Sequence, residues 1–179
     1  MRIIAGIYKG RRFNPPINNS FTRPTMDMAK EGLFNILSNK YDFEDISVLD
    51  LFGGTGSISF EFLSRGCRNV TFVEMNSSLI RFVGEVSNLL RTQEHMKIIR
   101  DDALKFLKKT EFRYDLIFAD PPYNYLHYKE MHQVIYNREL ILNEGSLIFE
   151  HDKSQDFYES EYFDEIRIYG TNRFSFFTH

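Results

Sequence analysis

VLDLFGGTG, residues 48–56, is a short apolar run that ends in a glycine-rich turn. Glycines at such a point let the backbone turn tightly into a helix and approach a ligand closely. From residue 46 onward, further short apolar runs alternate with helical patterns along the chain. This alternation predicts an α/β fold of the Rossmann-like, three-layer type, with a mostly parallel sheet of seven strands.

The rest of the chain extends this prediction in both directions. Residues 2–13 alternate weakly around Lys9-Gly10, which predicts a basic β-hairpin or two short strands, and Thr25 is expected to cap a following helix. The last apolar runs, at 166–169 and 174–177, predict an antiparallel hairpin that closes the sheet. Between the N-terminal segment and this C-terminal hairpin, we expect strands at 46–51, 70–73, 96–99, 114–119 and 146–150. We expect helices at 58–63, 77–90, 103–109 and 128–138.

The residues in and around the glycine turn discriminate between several classes of ligand. A P-loop requires lysine after its last glycine, whereas Gly56 is followed by Ser57. A dinucleotide turn carries a third Gly or Ala at a position that is Ser59 here. Asp50, at the end of the predicted strand, would repel a pyrophosphate. It suits a cationic sulfonium cofactor that also carries an ammonium group.

Acidic residues follow the next two predicted strands. Glu74 comes 24 residues after Asp50, and an acid about 20 residues past the turn commonly binds ribose hydroxyls. Asp101 and Asp102 follow the third strand, and Asp102 is the better candidate to accept a hydrogen bond from an adenine amino group. Asp102 also precedes a predicted helix, so an ordinary N-cap is a compatible alternative.

The most specific motif is Asp120-Pro121-Pro122-Tyr123, directly after an apolar strand. Two consecutive prolines fix φ and remove backbone donors, so the loop is rigid and rich in acceptors. Such acceptors suit a planar amino group, and Tyr123 offers a flat face on which a base can stack. The alternative is a strand that simply ends at prolines beside an exposed tyrosine.

Charge is distributed unevenly along the chain. The net charge of the 179 residues is −3, yet residues 1–26 carry five cations and no acid, namely Arg2, Lys9, Arg11, Arg12 and Arg23. A basic arm on an acidic body indicates contact with a polyanion at one end, although a solvated hairpin is the alternative.

Composition excludes several classes of protein. With 42% hydrophobic and 16% aromatic residues, the chain has the composition of one globular domain with an aromatic-rich core. A single cysteine, Cys67, permits no intramolecular disulfide and is expected to be packed and inert. The five histidines show no metal-ligand spacing, and no apolar run is long enough to cross a membrane. We therefore expect a cytoplasmic protein without metal, and nothing in the sequence demands more than a monomer.

The order of these motifs resembles the class I S-adenosylmethionine-dependent methyltransferases that modify exocyclic or amide nitrogens. The N-terminal part is similar to a narrower family, the bacterial 16S ribosomal RNA guanine-N2 methyltransferases, often called small-subunit rRNA methyltransferase D. This similarity is carried by RIIAG at 2–6, KGRR at 9–12, RPT at 23–25 and EGLFNIL at 31–37. It covers nearly the whole chain. Met26 and Lys30 depart from the family pattern, which leaves the fine RNA contacts open.

The resemblance implies a methyltransferase domain at 41–179, preceded by an extension at 1–40, in one compact unit. It implies S-adenosylmethionine as cofactor and a guanine N2 amine of 16S rRNA, within a small ribosomal subunit or an assembly intermediate, as substrate. The implied catalytic residues are Asp120, Pro121, Pro122 and Tyr123. The implied cofactor-binding residues are Asp50, Phe52, Gly53, Gly54, Thr55, Gly56, Glu74, Met75, Asp102 and Ala103. The five cations of the basic arm are the expected RNA contacts, except that Arg23 is also a candidate for the cofactor carboxylate.

Three other functions share part of this pattern. DNA adenine-N6 methyltransferases share the Asp-Pro-Pro-Tyr motif but usually carry an added target-recognition region. Protein glutamine methyltransferases more often have Asn in place of Asp120. A non-catalytic RNA-binding assembly factor with a retained cofactor pocket remains the alternative from a different class.

Overall fold

A computed structural model describes residues 1–16 and 24–178, with the backbone alone for 24–26. The helices of this part are α1 Pro24–Lys40, α2 Ser57–Ser64, α3 Ser77–Leu90, α4 Ala103–Lys109 and α5 Tyr128–Asn137. The strands are β1 Ser47–Leu51, β2 Asn69–Glu74, β3 Met96–Arg100, β4 Tyr114–Ala119, β5 Ile141–His151, β6 Phe163–Tyr169 and β7 Asn172–Thr178.

The strands form one sheet in the order β3-β2-β1-β4-β5-β7-β6. Strands β1 to β5 pair in parallel, whereas β7 pairs antiparallel with both β5 and β6. The predicted mostly parallel sheet with a C-terminal antiparallel hairpin is therefore confirmed. Because the chain leaves β1 in one direction for β2 and later returns to β4 on its other side, the strand order reverses at β1 and β4. Open α/β sheets bind their ligands beyond the carboxyl ends of the strands at such a reversal.

Helices cover both faces of the sheet, which gives the three predicted layers. Successive residues of a strand point to opposite faces. Val48, Phe72 and Phe118 accordingly pack with α1, α2 and α3, while Leu49 and Ile117 pack with α4 and α5. Both cores are rich in aromatic rings, as the composition predicts.

The N-terminal segment is held less regularly than the predicted hairpin. Its two arms meet at one isolated bridge between Arg2 and Arg12 and form no regular strands. The amides of Ile4 and Ala5 donate instead to the Glu61 carboxylate of α2, each at 2.9 Å. Because these donors are taken by a side chain of another element, the two arms cannot form a continuous ladder.

Several boundaries also differ from the prediction. Helix α1 begins at Pro24 rather than after a cap at Thr25, as suits proline in a first helical turn. Strand β5 begins at Ile141, five residues before the predicted start, because Tyr114 pairs with Ile141 ahead of a register shift. The exposed residues Asn143 and Glu144 interrupt its apolar pattern and conceal this first part. Strand β6 likewise begins at Phe163 rather than 166.

The predicted inert cysteine is buried. The Cys67 thiol lies 3.5 Å from the carbonyl oxygen of Ile46, and burial raises its pKa to about 11. Among the described helices, none has the length and apolar character needed to span a membrane.

Candidate active site

The glycine turn is fixed between β1 and α2 by contacts with β2. The amide of Gly53 donates to the carbonyl of Val73 at 3.1 Å. A Cβ on Gly53 would lie 2.2 Å from the Phe72 ring, so only glycine lets the turn lie this close to β2. Gly54 has φ +56°, and no atom lies closer than 3.7 Å to the position of an added Cβ. The backbone there is open to a ligand.

Glu74 is brought to this turn, as the spacing predicted. One carboxylate oxygen accepts from the amide of Gly54 at 3.1 Å, and the other accepts from Asn76 at 2.8 Å. Each oxygen keeps a further lone pair for hydroxyl donors. Met75, which follows, is 66% exposed at the same edge of the sheet.

Asp50 lies deeper than its expected cofactor role suggests. Its carboxylate is buried and accepts hydrogen bonds from the amide and hydroxyl of Ser59, at 3.1 and 2.5 Å. Burial, followed by the charges of Asp120 and Glu74, raises its pKa to about 7 against the lowering effect of Ser59. Asp50 thus anchors the first turn of α2, and its direct contact with a cofactor stays a prediction.

Asp102 caps the helix that follows it, which is the alternative role that the sequence predicts. It is the N-cap of α4, where its side chain accepts from the amide of Lys105 at 2.9 Å. Ala103 behind it is buried. Only one oxygen of Asp102 is used by the cap, so a role toward an adenine amino group stays a prediction.

Tyr125 packs against Phe52 of the glycine turn and was missed by sequence reasoning. Its ring meets the Phe52 ring edge to face, with centroids 5.1 Å apart. Burial and the nearby charge of Asp102 raise its pKa to about 12. Its amide donates to the Pro122 carbonyl at 2.8 Å, so it is positioned by the proline loop. The sequence signal that could have identified it is an aromatic residue three positions after the second proline.

The proline loop lies beside the glycine turn. The Asp120 amide donates to the Leu51 carbonyl at 3.5 Å, which joins the ends of β4 and β1. Pro121 is buried, whereas Pro122 and Tyr123 are exposed, Tyr123 by 77% of its surface. Because so little protein covers the Tyr123 ring, its face is free for a flat ligand.

Two cavities meet at Asp120. One of about 320 Å³ includes Pro121, Tyr123 and Tyr128 in its wall, and one of about 240 Å³ includes Thr55, Ser57 and Lys30. Although Asp120 keeps an exposed face toward these cavities, the protein around its carboxyl removes hydration and raises its pKa to about 7. Glu150 and Asn172 line both cavities as well, and neither was singled out from the sequence.

The expected RNA contacts are only partly near these cavities. Arg2 lines the smaller cavity and pairs with Asp27 at 3.6 Å. Lys9, Arg11 and Arg12 are exposed on the N-terminal segment, with Arg11 over the Tyr8 ring. Arg23 lies outside the described residues.

The described residues fit S-adenosylmethionine. The site gathers Asp50, Glu74 and Asp120. Burial and then the charges of Asp120 and Glu74 raise the pKa of Asp50, so a sulfonium and an ammonium group are favoured partners. Glu74 has free lone pairs for ribose hydroxyls, and Gly54 leaves open backbone beside it. Within the part of the chain that the structure describes, no group of three metal-ligating side chains occurs.

Solved structures share this fold. The yhhF protein of Escherichia coli superposes with a TM-score of 0.85 at 23% identity, over 99% of this chain and 96% of that one. A SAM-dependent methyltransferase of Agrobacterium tumefaciens superposes with a TM-score of 0.67 at 20% identity, over 93% and 66%. The chain therefore has the Rossmann-like fold of the class I S-adenosylmethionine-dependent methyltransferases.

A family model described as conserved hypothetical protein 95 matches residues 1–178, and the chain belongs to that family. YlbH of Bacillus subtilis is 33% identical over 163 residues, which are 89% of this chain and 87% of YlbH. Ribosomal RNA small subunit methyltransferase D of Haemophilus influenzae is 36% identical over 128 residues, 70% of this chain and 65% of that protein. The resemblance to the small-subunit methyltransferase D family is thereby confirmed.

Proposed function

We propose that this protein transfers a methyl group to the exocyclic N2 amine of a guanine in 16S ribosomal RNA. The observation that carries the proposal is the Asp120-Pro121-Pro122-Tyr123 loop, which lies against the glycine turn and opens on a cavity of about 320 Å³. The name of the Haemophilus relative supports ribosomal RNA of the small subunit as the substrate class.

The glycine turn, Glu74, Asp102 and Tyr125 would hold S-adenosylmethionine, which when bound would supply an electrophilic methyl group. The guanine amine is a poor nucleophile because its lone pair is delocalised into the ring. The Asp120 carboxylate and the Pro121 carbonyl accept hydrogen bonds from its two N–H groups and so turn the lone pair out of that conjugation. As the nitrogen bonds to the methyl carbon, the carbon–sulfur bond breaks with its electron pair left on sulfur, and the Asp120 carboxylate accepts the proton that the methylated amine loses. These acceptors bind more strongly as positive charge develops on the nitrogen, which favours the transition state over the ground state.

The target base has to leave its stack to reach this pocket. Tyr123, with its exposed ring, stacks on the base, and such stacking contributes about 1–3 kcal/mol. Pro121 and Pro122 keep the loop rigid, so the acceptors are positioned before the base arrives. Good positioning of reacting groups can contribute about 7–11 kcal/mol to a rate.

The N-terminal extension, residues 1–40, acts in this proposal as the RNA-binding part of the methyltransferase domain at 41–179. Exposed Lys9, Arg11 and Arg12 contact phosphates, and Arg2 lies nearer the pocket. A small ribosomal subunit or assembly intermediate is the proposed partner, met by a monomer in the cytoplasm.

The test is methyl transfer from labelled S-adenosylmethionine to small ribosomal subunits that lack the modification. Naked rRNA and duplex DNA are assayed in parallel, and the product nucleosides are identified by mass. N2-methylguanosine from the subunits is the expected product. N6-methyladenine from DNA would replace the proposed substrate, and cofactor binding without transfer to any of these would favour an assembly factor.

A further inference from the structure

Glu150 stands directly beside Asp120 at the carboxyl edge of the sheet. Strands β4 and β5 pair in parallel, and the register ends with Phe118 opposite Ile148 and Ala119 opposite Phe149. The next residues along the two strands are Asp120 and Glu150. Because side chains alternate between faces, both carboxyls point to the face occupied by Phe118 and Ile148.

The Glu150 side chain is held in place from β7. Asn172 donates from Nδ2 to Oε1 of Glu150 at 2.5 Å, which leaves Oε2 without a partner among the described hydrogen bonds. Both residues line the two cavities that Asp120 lines. Burial and the neighbouring charge of Asp120 raise the pKa of Glu150 well above its ordinary value. The strand ends therefore place two acidic side chains in one pocket, which is costly unless a ligand supplies donors to both.

Guanine is the amino-bearing base that supplies adjacent donors. Its N2 amine is flanked by the ring N1–H, whereas the amine of adenine is flanked by the acceptors N1 and N7, and that of cytosine by the acceptor N3. When the amine donates a hydrogen bond to Asp120, the neighbouring carboxylate oxygen, that of Glu150, can accept one from N1–H of guanine. In adenine or cytosine it would meet a lone pair.

We propose that Glu150 is a specificity-determining residue that accepts a hydrogen bond from the ring N1–H of the target guanine. Asn172 acts as the positioning residue that orients its carboxylate. This inference rests on the proposed function and deepens it, because it names the group that selects guanine among the bases that carry an amine.

The test replaces the target guanine, once mapped, by 2-aminopurine in reconstituted small subunits. That base keeps the N2 amine but carries an acceptor at N1. The wild-type protein is expected to prefer guanine by roughly 10–100-fold in kcat/KM, the discrimination typical of one specific base contact. In Glu150→Gln the amide can donate to N1 of 2-aminopurine, so the preference is expected to fall to within about threefold or to reverse.

Several measurements separate this role from a structural one. Equilibrium binding of the two kinds of subunit should show the same change of preference as the rates, while affinity for S-adenosylhomocysteine and the melting temperature stay at wild-type values. Glu144→Gln, on the same strand at the opposite edge of the sheet, is the matched control and should keep the wild-type preference. Asn172→Ala should reduce the preference without reversing it.

The two proposals fail in distinguishable ways. Methylation of guanine by the wild-type protein, with an unchanged preference in Glu150→Gln, would overturn the role of Glu150 alone. Absence of N2-methylguanosine from every wild-type reaction would overturn the proposed function and this inference with it.

Discussion

At the residue scale, the chemistry of the site depends on carboxyl groups that are crowded against one another. Asp50 and Asp120 both have a pKa raised to about 7, in each case chiefly because the surrounding protein removes hydration from the carboxyl group. Their roles differ because their partners differ. Asp50 is tied to Ser59, whereas Asp120 faces the cavities and is available to a substrate.

Removing the Asp120 carboxylate should chiefly affect the chemical step. Asp120→Ala is expected to lower kcat by about 10²–10³-fold, the usual effect of deleting a hydrogen-bonding group that stabilises a transition state. Single-turnover methyl transfer with the enzyme in excess over subunits measures this loss, and Glu144→Gln serves as the control. Full activity in Asp120→Ala would contradict the proposed role of the loop.

The raised pKa of Asp120 predicts a pH dependence of the reaction. Below about pH 7 the folded protein holds a proton on Asp120, and the carboxyl then loses acceptor strength, so kcat/KM should rise with pH and level off above this value. Asp120→Asn removes this group, and it also removes the charge that helps to raise the pKa of Glu150. Any remaining inflection should therefore move to lower pH. A pH profile of kcat/KM that is identical in wild type and Asp120→Asn would refute the assignment.

At the scale of elements, Glu61 of α2 is the point at which three parts of the chain are joined. This buried carboxylate accepts from the Ile4 and Ala5 amides of the N-terminal segment. It also pairs with Lys30 of α1 at 3.4 Å and with Arg65 at 3.1 Å. Lys30 in turn donates to the Arg2 carbonyl at 2.7 Å. The basic segment is thus fastened to the methyltransferase domain by this carboxylate, together with Ser64 of the same helix, which accepts from the amides of Ile7 and Tyr8 at 2.7 and 3.0 Å.

Loss of this carboxylate should destabilise the fold more than loss of a surface acid. Glu61→Ala leaves the Lys30 ammonium buried without its counter-charge, and breaking a buried pair in this way typically costs about 3–5 kcal/mol. Denaturant unfolding followed by circular dichroism measures the change in the free energy of unfolding. Glu85→Ala, an exposed glutamate on α3, should change it by less than about 0.5 kcal/mol. A loss below about 1 kcal/mol in Glu61→Ala would show that the network is not needed to hold the segment.

At the scale of the whole molecule, charge is separated between a basic N-terminal segment and an acidic remainder. Residues 1–26 carry five cations without an acid, although the net charge of the chain is −3. The segment runs along α2, with Arg2 near Ser57 in the first turn and Tyr8 at Ser64 in the last, so its positive charge lies along the side of the molecule that α2 covers, and Arg2 marks the end nearest the site. A polyanion would be attracted to that side and repelled by the rest.

RNA affinity should therefore weaken with salt to an extent set by the segment. If about 3–5 phosphates are contacted, log Kd against log salt concentration gives a slope of roughly 2–4 for single strands. Lys9→Ala, Arg11→Ala and Arg12→Ala together should lower that slope by about 2. The same number of changes at Arg68, Lys97 and Arg113, which lie at the amino ends of the strands, is the matched control. A slope that is unchanged in the N-terminal triple variant would contradict the RNA-binding role of the segment.

Local sequence was enough to predict the sheet, the glycine turn and the proline loop. Apolar period, glycine and proline act within a few residues, so the strand over Tyr114–Ala119 and the loop at Asp120–Tyr123 could be located without coordinates. The proximity of Glu74 to the turn also followed from spacing, because the carboxyl ends of parallel strands meet at one edge. The start of β5 could not be predicted, since it depends on pairing with Tyr114 from another part of the chain.

The sequence by itself thus determined which residues end each strand and hence which chemistry gathers at the carboxyl edge. Tertiary structure alone decided which role each carboxyl group has. Asp50 anchors α2, Glu61 fastens the N-terminal segment, and Glu150 joins Asp120 in the pocket. The physical reason is that strand order, register and burial are properties of elements distant along the chain. No local pattern contains Asn172, which holds the Glu150 carboxyl group, or Asp120, which helps to raise its pKa.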